Sequence, residues 1–513
     1  MKGERRILLS AALLLAAAAI AARAPGAVAY SLWQDEVASA RILIEPTPWD
    51  AVARVADTES TPPAWYLAGW LLHWVGVPVE GVRWLSVLCG AAASALTLVF
   101  ARRFLSLPGA ALAGAAVALG WQFVARGHEL RAYSLYLLLA VAFALLLVRA
   151  AERPERGRLA ALAAVTALTL LTHYFFALAL LTGAAWLVAA GLRDTVSQGR
   201  GSTRQGPPAS PAGGREPPSD TVSLSRTWPA LVAVAAGALP LLAWLPGFLQ
   251  QVANDRYSWV ASFDLLKAAA VYSTFFWNAE ELYVEAQDVS ISPLAAVARL
   301  AVLAVVVAGA VVLWRRGGEA RLAALLATVP VALAALLWLS GGSVFTTRNL
   351  ICAAPFAAVA IAAAVTALPR PAAVAAGAVA LGFLALGLTQ EWTLRPPPYE
   401  EYAGRLRAAG VERGSLVYVV GGAHDLSYLG SAYALRSPIA WYLPGHPELR
   451  LAEPPACDGS ALVVDGSARP VRVGRERCED LPEGGYWFRL TGAGGQASPR
   501  LRRAPHTTQS VVV

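Results

Sequence analysis

Residues 7–37 read ILLSAALLLAAAAIAARAPGAVAYSLWQDEV. From Ile7 to Ala29 the only charge is Arg23, and about 20 apolar residues in a helix cross roughly 30 Å of hydrocarbon. Directly after this run stands Trp33-Gln34-Asp35-Glu36-Val37. Two adjacent carboxylates at a membrane surface are costly unless they are solvated, paired or used. Arg5-Arg6, the apolar run and Ala27-Val28-Ala29 also fit a cleavable signal peptide. The run is long for that purpose, and the acidic pair makes more sense beside a span that stays in place.

Working outward, the same pattern recurs. The 513 residues are 57% apolar and 15% charged, against about 25% charged in soluble domains. Apolar runs at 7–29, 83–101, 107–125, 131–148, 159–177, 178–192, 229–247, 291–314, 321–339, 350–368 and 371–389 predict about eleven spans. The expected fold is mostly α: a polytopic transmembrane helical bundle with a small C-terminal extracytoplasmic α/β domain. Residues 62–77, rich in Trp, read as an interfacial helix. The basic residues are spread over many short loops, which gives no argument for nucleic acid.

With the N-terminus in the cytoplasm, the inner segments hold 18 basic and 7 acidic residues, the asymmetry of a positive-inside membrane protein. The expected location is the plasma (inner) membrane, multi-pass, with the tail outside. Residues 193–226, rich in Gly, Ser, Pro and Arg, read as a cytoplasmic linker within a membrane domain of residues 1–389. The exterior loop 248–290 carries aromatics, among them Trp259, Phe263, Tyr272, Phe275, Phe276, Trp277 and Tyr283. These suit either amphipathic helices lying on the outer leaflet or an aromatic belt. Residues 390–513 read as an α/β domain, with strands at Leu416–Val420 and Ala461–Val464 and a helix at Glu400–Ala409. Cys457 and Cys478 in this tail are expected to form a disulfide in an oxidising compartment. No Cys/His set has zinc spacing.

The chemistry-bearing residues predicted at the outer face are few. They are Asp35 and Glu36; Arg126, His128, Glu129 and Arg131; His173 and Tyr174; and Arg348. A carboxylate serves as general base toward a hydroxyl. Arginine offers a permanent forked charge to phosphate oxygens. Each residue also has an ordinary reading. Arg83 and Arg299 can snorkel, Arg131 can cap a helix, His173 can be a core histidine, and Arg348 can be plain loop charge. Agreement of side is what favours function.

Four segments in order carry a family resemblance: Trp33-Gln34-Asp35-Glu36-Val37; Thr61-Pro62-Pro63-Ala64-Trp65-Tyr66-Leu67 with His73-Trp74; His128-Glu129-Leu130-Arg131-Ala132-Tyr133-Ser134-Leu135; and Leu171-Thr172-His173-Tyr174-Phe175-Phe176. In these the sequence resembles the GT-C membrane glycosyltransferases. The likeness is to bacterial members of the family 39 group, relatives of protein O-mannosyltransferases and of the lipid A aminoarabinose transferase. Two departures stand out. His128 replaces an expected Gln, and Thr347-Arg348-Asn349 lacks an aromatic after Arg.

The resemblance implies inverting transfer of a sugar from a polyprenyl-phosphate donor to an extracytoplasmic acceptor: a cell-envelope glycan, a lipid or a protein hydroxyl. It implies Asp35 as base, Glu36 as the catalytic-site residue that orients the acceptor or holds a cation, and Arg131 and Arg348 on the donor phosphate. Glu129, His128, His173, Tyr174 and Tyr66 would line the substrates. No cofactor is required, though Glu36 leaves room for a divalent cation. The rival readings are a flippase or transporter of polyprenyl-linked lipid or sugar, which needs binding groups but no base, and a lipid-to-lipid phosphotransferase.

Overall fold

The computed structural model describes residues 2–202, 224–254, 263–276, 293–342, 345–393, 398–420, 438–452, 459–465, 472–481 and 486–491. The chain divides into two units, Met1–Pro396 and Pro397–Val513.

The first unit is helical. Its opening helix α1 (Lys2–Ala29) is followed by three short ones, α2 (Gln34–Leu43), α3 (Pro48–Thr58) and α4 (Ala64–Trp74). Next come α5 (Arg83–Ala101), α6 (Leu107–Leu119), α7 (Trp121–Ala125), α8 (Tyr133–Glu152), α9 (Arg156–Leu170) and α10 (Phe176–Ser202). Beyond residue 223 stand α11 (Leu224–Ala238), α12 (Pro240–Ala243), α13 (Leu245–Ala253) and α14 (Leu265–Phe276). The unit closes with α15 (Pro293–Arg316), α16 (Gly318–Leu339), α17 (Ala354–Thr366) and α18 (Arg370–Thr393).

A helix stands at each of the eleven expected positions. Among the described residues six helices are long and apolar enough to cross a membrane, or seven if the pair bent by 61° after Ala243 is one span. α6, α17 and the apolar part of α10 are shorter. α4, at 11 residues, is far too short to cross. Leu9, Leu13 and Leu14 of α1, Val297 and Val307 of α15, and Val374, Val379 and Phe383 of α18 face outward, exposed. Water-soluble surfaces do not carry apolar patches on this scale; a bilayer covers them, and the chain is a membrane protein. At the centre lies α17, nearly all of it buried. Gly309 of α15 lets that helix lie against the Ala360 backbone so closely that a Cβ would overlap it, the small-residue contact by which membrane helices pack.

Two expectations change. The stretch from Leu265 to Phe276 does not lie on the leaflet. Val271, Tyr272, Phe275 and Phe276 are buried in the bundle core, and the Tyr272 hydroxyl donates to the Ala327 carbonyl of α16 at 2.8 Å. Trp259, Trp277 and Tyr283 lie outside the described residues. Nor does Arg83 snorkel: it is fully buried, because a carboxylate waits for it.

The third expected span breaks at Gly120, between α6 and α7. A break within hydrocarbon strands backbone carbonyls, which must find donors inside the protein. Arg23 of α1 supplies them. Its guanidinium donates to the carbonyls of Val117 at 3.0 Å, Ala118 at 2.8 Å and Phe123 at 3.1 Å. Gly127 and Gly90 make room for it; a Cβ at Gly127 would overlap both Arg23 Nε and the Phe123 carbonyl. Overpacking costs about 1–3 kcal/mol. Gly127→Ala is therefore expected to lower the thermal midpoint of the detergent-solubilised protein, with Gly157→Ala, in open space, as the neutral control.

The second unit carries α19 (Tyr399–Ala408) and the strands β1 (Leu416–Val420), β2 (Glu448–Ala452), β3 (Ser460–Asp465), β4 (Arg472–Arg477) and β5 (Tyr486–Thr491). Their order is β2-β5-β1-β3-β4. β1 runs parallel to β3, with Val417 opposite Leu462, and antiparallel to β5, with Val417 opposite Phe488. The unbroken apolar run of β1 follows from this central place, since a strand buried on both faces has no polar side to show. Tyr418, Val463 and Trp487 fill one face of the sheet. Cys457 lies outside the described residues, and the expected bridge to Cys478 lies there with it.

Candidate active site

The two carboxylates of the opening motif have different surroundings. Both sit in the first turn of α2, where the helix dipole favours negative charge. Glu36 is buried: its Oε1 accepts from Arg83 Nε at 2.7 Å and from the Leu130 amide at 2.6 Å. Its Oε2 accepts from the Trp33 amide at 3.3 Å, closing the start of the helix, and pairs with Arg83. Arg83 in turn donates to the carbonyls of Tyr30 and Ser31. One carboxylate thereby ties α2, α5 and the loop after α7 together.

Asp35, one residue earlier, points the other way and keeps 31% of its side chain exposed. Its Oδ2 accepts from Arg348 Nη1 at 3.1 Å. Among the described residues its Oδ1 accepts no hydrogen bond. Arg348 stands in the turn before α17, which is anchored by Phe345 stacked on Trp338 at 4.8 Å and by the Asn349 amide on the Thr346 hydroxyl.

Arg131 comes from the loop 126–132, which is buried throughout. A buried loop must find partners for its polar groups, and this one takes them from side chains. Arg126 pairs with Glu129 at 2.6 Å, Glu36 takes the Leu130 amide, and the Ser86 hydroxyl donates to the Arg131 carbonyl. Arg131 Nη1 donates to the Asp35 carbonyl at 3.2 Å, to the Ser39 hydroxyl at 3.2 Å and to Glu59 Oε2 at 2.9 Å. Burial raises the Glu59 carboxyl above its ordinary range against the pull of Arg131. Burial likewise raises Glu129, against Arg126. Tyr66 faces the same spot, its hydroxyl 3.0 Å from that of Thr61 and beside Glu59.

The other sequence candidates stand around this centre. His173 is buried and stacked on Tyr136 at 4.4 Å. Burial, with the Arg131 charge, pushes it down to about 3, so it is neutral at physiological pH. Tyr174 donates to Gln251 at 2.6 Å and accepts from Trp244, and Gln251 donates to the Val55 and Thr61 carbonyls. It braces the loop that carries Glu59. His128 bonds Glu391 of α18 at 3.0 Å, with the Tyr30 ring edge-on to it. Asp35, Arg131, Arg348 and Tyr66 are thus brought into one cluster, whereas His128 and Tyr174 are bonded elsewhere.

Glu59 was not singled out in the sequence. Its signal was an acidic residue just before Thr61-Pro62-Pro63. Glu391, the partner of His128, had no local signal, nor did the pairing of Arg83 with Glu36.

A resident metal finds little to hold it. Both Glu36 oxygens are engaged by Arg83 and backbone amides. Among the described residues no three His, Cys, Asp or Glu side chains are grouped as a metal site.

Residues 60–200 match the family model of dolichyl-phosphate-mannose-protein mannosyltransferase. This bears out the resemblance over these residues, about a quarter of the chain: there the sequence is similar to the protein-mannosyltransferase family of membrane glycosyltransferases. No curated protein matches the sequence. Among solved structures the chain is similar to the archaeal oligosaccharyltransferase AglB from Archaeoglobus fulgidus, in complex with an inhibitory peptide and a dolichol-phosphate. That likeness has 13% identity and a TM-score of 0.45, over 79% of this chain and 58% of that one. The chain thus spans less than two thirds of that protein. It is also similar to ArnT from Cupriavidus metallidurans bound to undecaprenyl phosphate, at 14% identity and a TM-score of 0.42, over 87% of this chain and 70% of that one.

Proposed function

We propose that this protein is an integral membrane glycosyltransferase that moves a sugar from a polyprenyl-phosphate donor to an extracytoplasmic hydroxyl, with inversion. The observation that carries the reading is the pair formed by Asp35 and Arg348: a half-open carboxylate, with one oxygen unengaged among the described residues, against a guanidinium. The matched family model names a dolichyl-phosphate sugar, the donor class that such a pair suits.

In the reaction the acceptor oxygen attacks the anomeric carbon from the face opposite the phosphate. The bond from that carbon to the phosphate oxygen breaks, the acceptor proton passes to Asp35, and polyprenyl phosphate leaves with the bonding electrons. Charge grows on the phosphate as it leaves, and fixed donors stabilise it there. Arg348 and Arg131 are those donors. Arg131 makes its bonds to Asp35, Ser39 and Glu59 through Nη1, which leaves its Nη2 for an anion. Glu36 is a positioning residue that holds Asp35 through the start of α2. No step is routed through a metal.

The test is transfer of labelled mannose from polyprenyl-phosphate mannose by the purified protein in vesicles, with membrane glycans, lipids and proteins as acceptors. Released polyprenyl phosphate and labelled product support the reading. Donor crossing the vesicle wall with its sugar bond intact would establish the flippase instead. Arg348→Ala is expected to weaken donor binding by about 10- to 150-fold, the worth of one charge-assisted hydrogen bond, measured as the donor KM. An unchanged KM would take Arg348 out of the phosphate site.

A further inference from the structure

At the end of the bundle away from Asp35 lies a cavity of about 1270 Å³. The N-terminal end of α1 marks this end, since Glu4 pairs with Arg102 at 2.7 Å just before the cavity wall at Arg103. Asp35 follows the other end of α1. A helix of 28 residues at about 1.5 Å per residue separates the two by roughly 40 Å.

The wall is strongly basic. Arg103, Arg149, Arg153, Arg158, Arg316 and Arg321 line it, against only Glu152 and Glu319. Both carboxylates are taken by Arg103. Arg316 donates to the Phe104 carbonyl and Arg321 to the Trp314 carbonyl. Among the described residues Arg149 and Arg153 have no carboxylate partner. Deeper in, the wall turns apolar, with Leu146, Val148, Leu325 and Val329. Trp186 and Trp314 also line it, the residue type that settles at the headgroup level of a bilayer. The linker sequence 193–226 holds five Arg and three acidic residues, so its net charge adds to the positive balance of this end.

We propose that this cavity binds an anionic phosphate ester, and that the source is a phospholipid of the adjoining leaflet. Its phosphate sits on Arg149 and Arg153 and its acyl chains follow the apolar wall. Basic pockets between spans on the cytoplasmic side hold lipid headgroups for the same reason. The proposal does not rest on the glycosyltransferase reading.

The full-length protein, extracted from vesicles of phosphatidylcholine with phosphatidylglycerol, is examined by native mass spectrometry. Wild type is expected to retain phosphatidylglycerol. Arg149→Gln with Arg153→Gln should retain it about 30-fold less, at the usual worth of two basic residues near an anionic headgroup. Ala185→Phe, which fills the cavity without touching its charge, should show the same loss. A parallel arm titrates glycerol phosphate into protein held in pure phosphatidylcholine. Binding there that depends on both arginines, without lipid retention, would keep the phosphate site and make its source a soluble ester. Equal retention by wild type and both variants, or none by any of them in either arm, would overturn the proposal.

Discussion

Asp35→Asn is expected to lower sugar transfer by about 100- to 10,000-fold, the usual worth of a general base, while donor binding survives. The substitution keeps the shape of the side chain and its place in α2, and it removes only the ability to take a proton. Arg348 then loses an ionic partner but stays available to the phosphate. The measurement is single-turnover transfer beside equilibrium binding of the donor. Near-normal transfer by Asp35→Asn would remove the mechanism. The flippase would then become the better reading.

The largest loss of stability is expected at Glu36 and Arg83. Both side chains keep only 2% of their surface exposed. Breaking a buried ion pair by removing one partner costs about 3–5 kcal/mol, because the other charge is left uncompensated. Glu36→Gln and Arg83→Met should each sharply lower the thermal midpoint in detergent. The double change Glu36→Leu with Arg83→Met should cost less than the sum, since it leaves no orphan charge. Additive losses would mean that the two residues act separately. Loss of activity in Glu36→Gln with stability intact would return Glu36 to a direct role.

Much of the fold was legible because the bilayer enforces a simple code. An apolar run of the right length can only be a helix there, and a helix stands at each expected run. The short strands Leu416–Val420 and Ala461–Val464 were equally plain, because a doubly buried strand has to be apolar. How many helices cross was not legible, since α6, α9 and α17 are each shorter than their apolar runs. The aromatics around Phe275 misled for a related reason: amphipathic aromatic sequence reads alike whether it faces headgroups or packs against α15 and α16.

In the site, Asp35 and Arg348 are 313 positions apart, yet they touch. Only the predicted side of the membrane joined them in the sequence. The different fates of Asp35 and Glu36 were not legible, because they turn on Arg83 and the Leu130 amide, 47 and 94 positions away. Charge pairing across a bundle leaves no local trace, and so Glu391 passed unnoticed, while Glu59 showed only its place just before Thr61-Pro62-Pro63.

Arg23 has a consequence for how the protein is made. The first helix leaves the ribosome with a guanidinium in its apolar stretch, costing about 2.5–3.5 kcal/mol at a span centre and less toward its end. Apart from Ala19 on α1 itself, the carbonyls that will hold it belong to residues 94 to 100 positions downstream. At about 5–20 residues per second, their arrival takes on the order of 5–20 seconds. Through that interval α1 sits in the membrane with its charge turned to water or to the insertion machinery. Its final seating, and with it the placement of Asp35 just beyond its end, waits for the third apolar run to be synthesised.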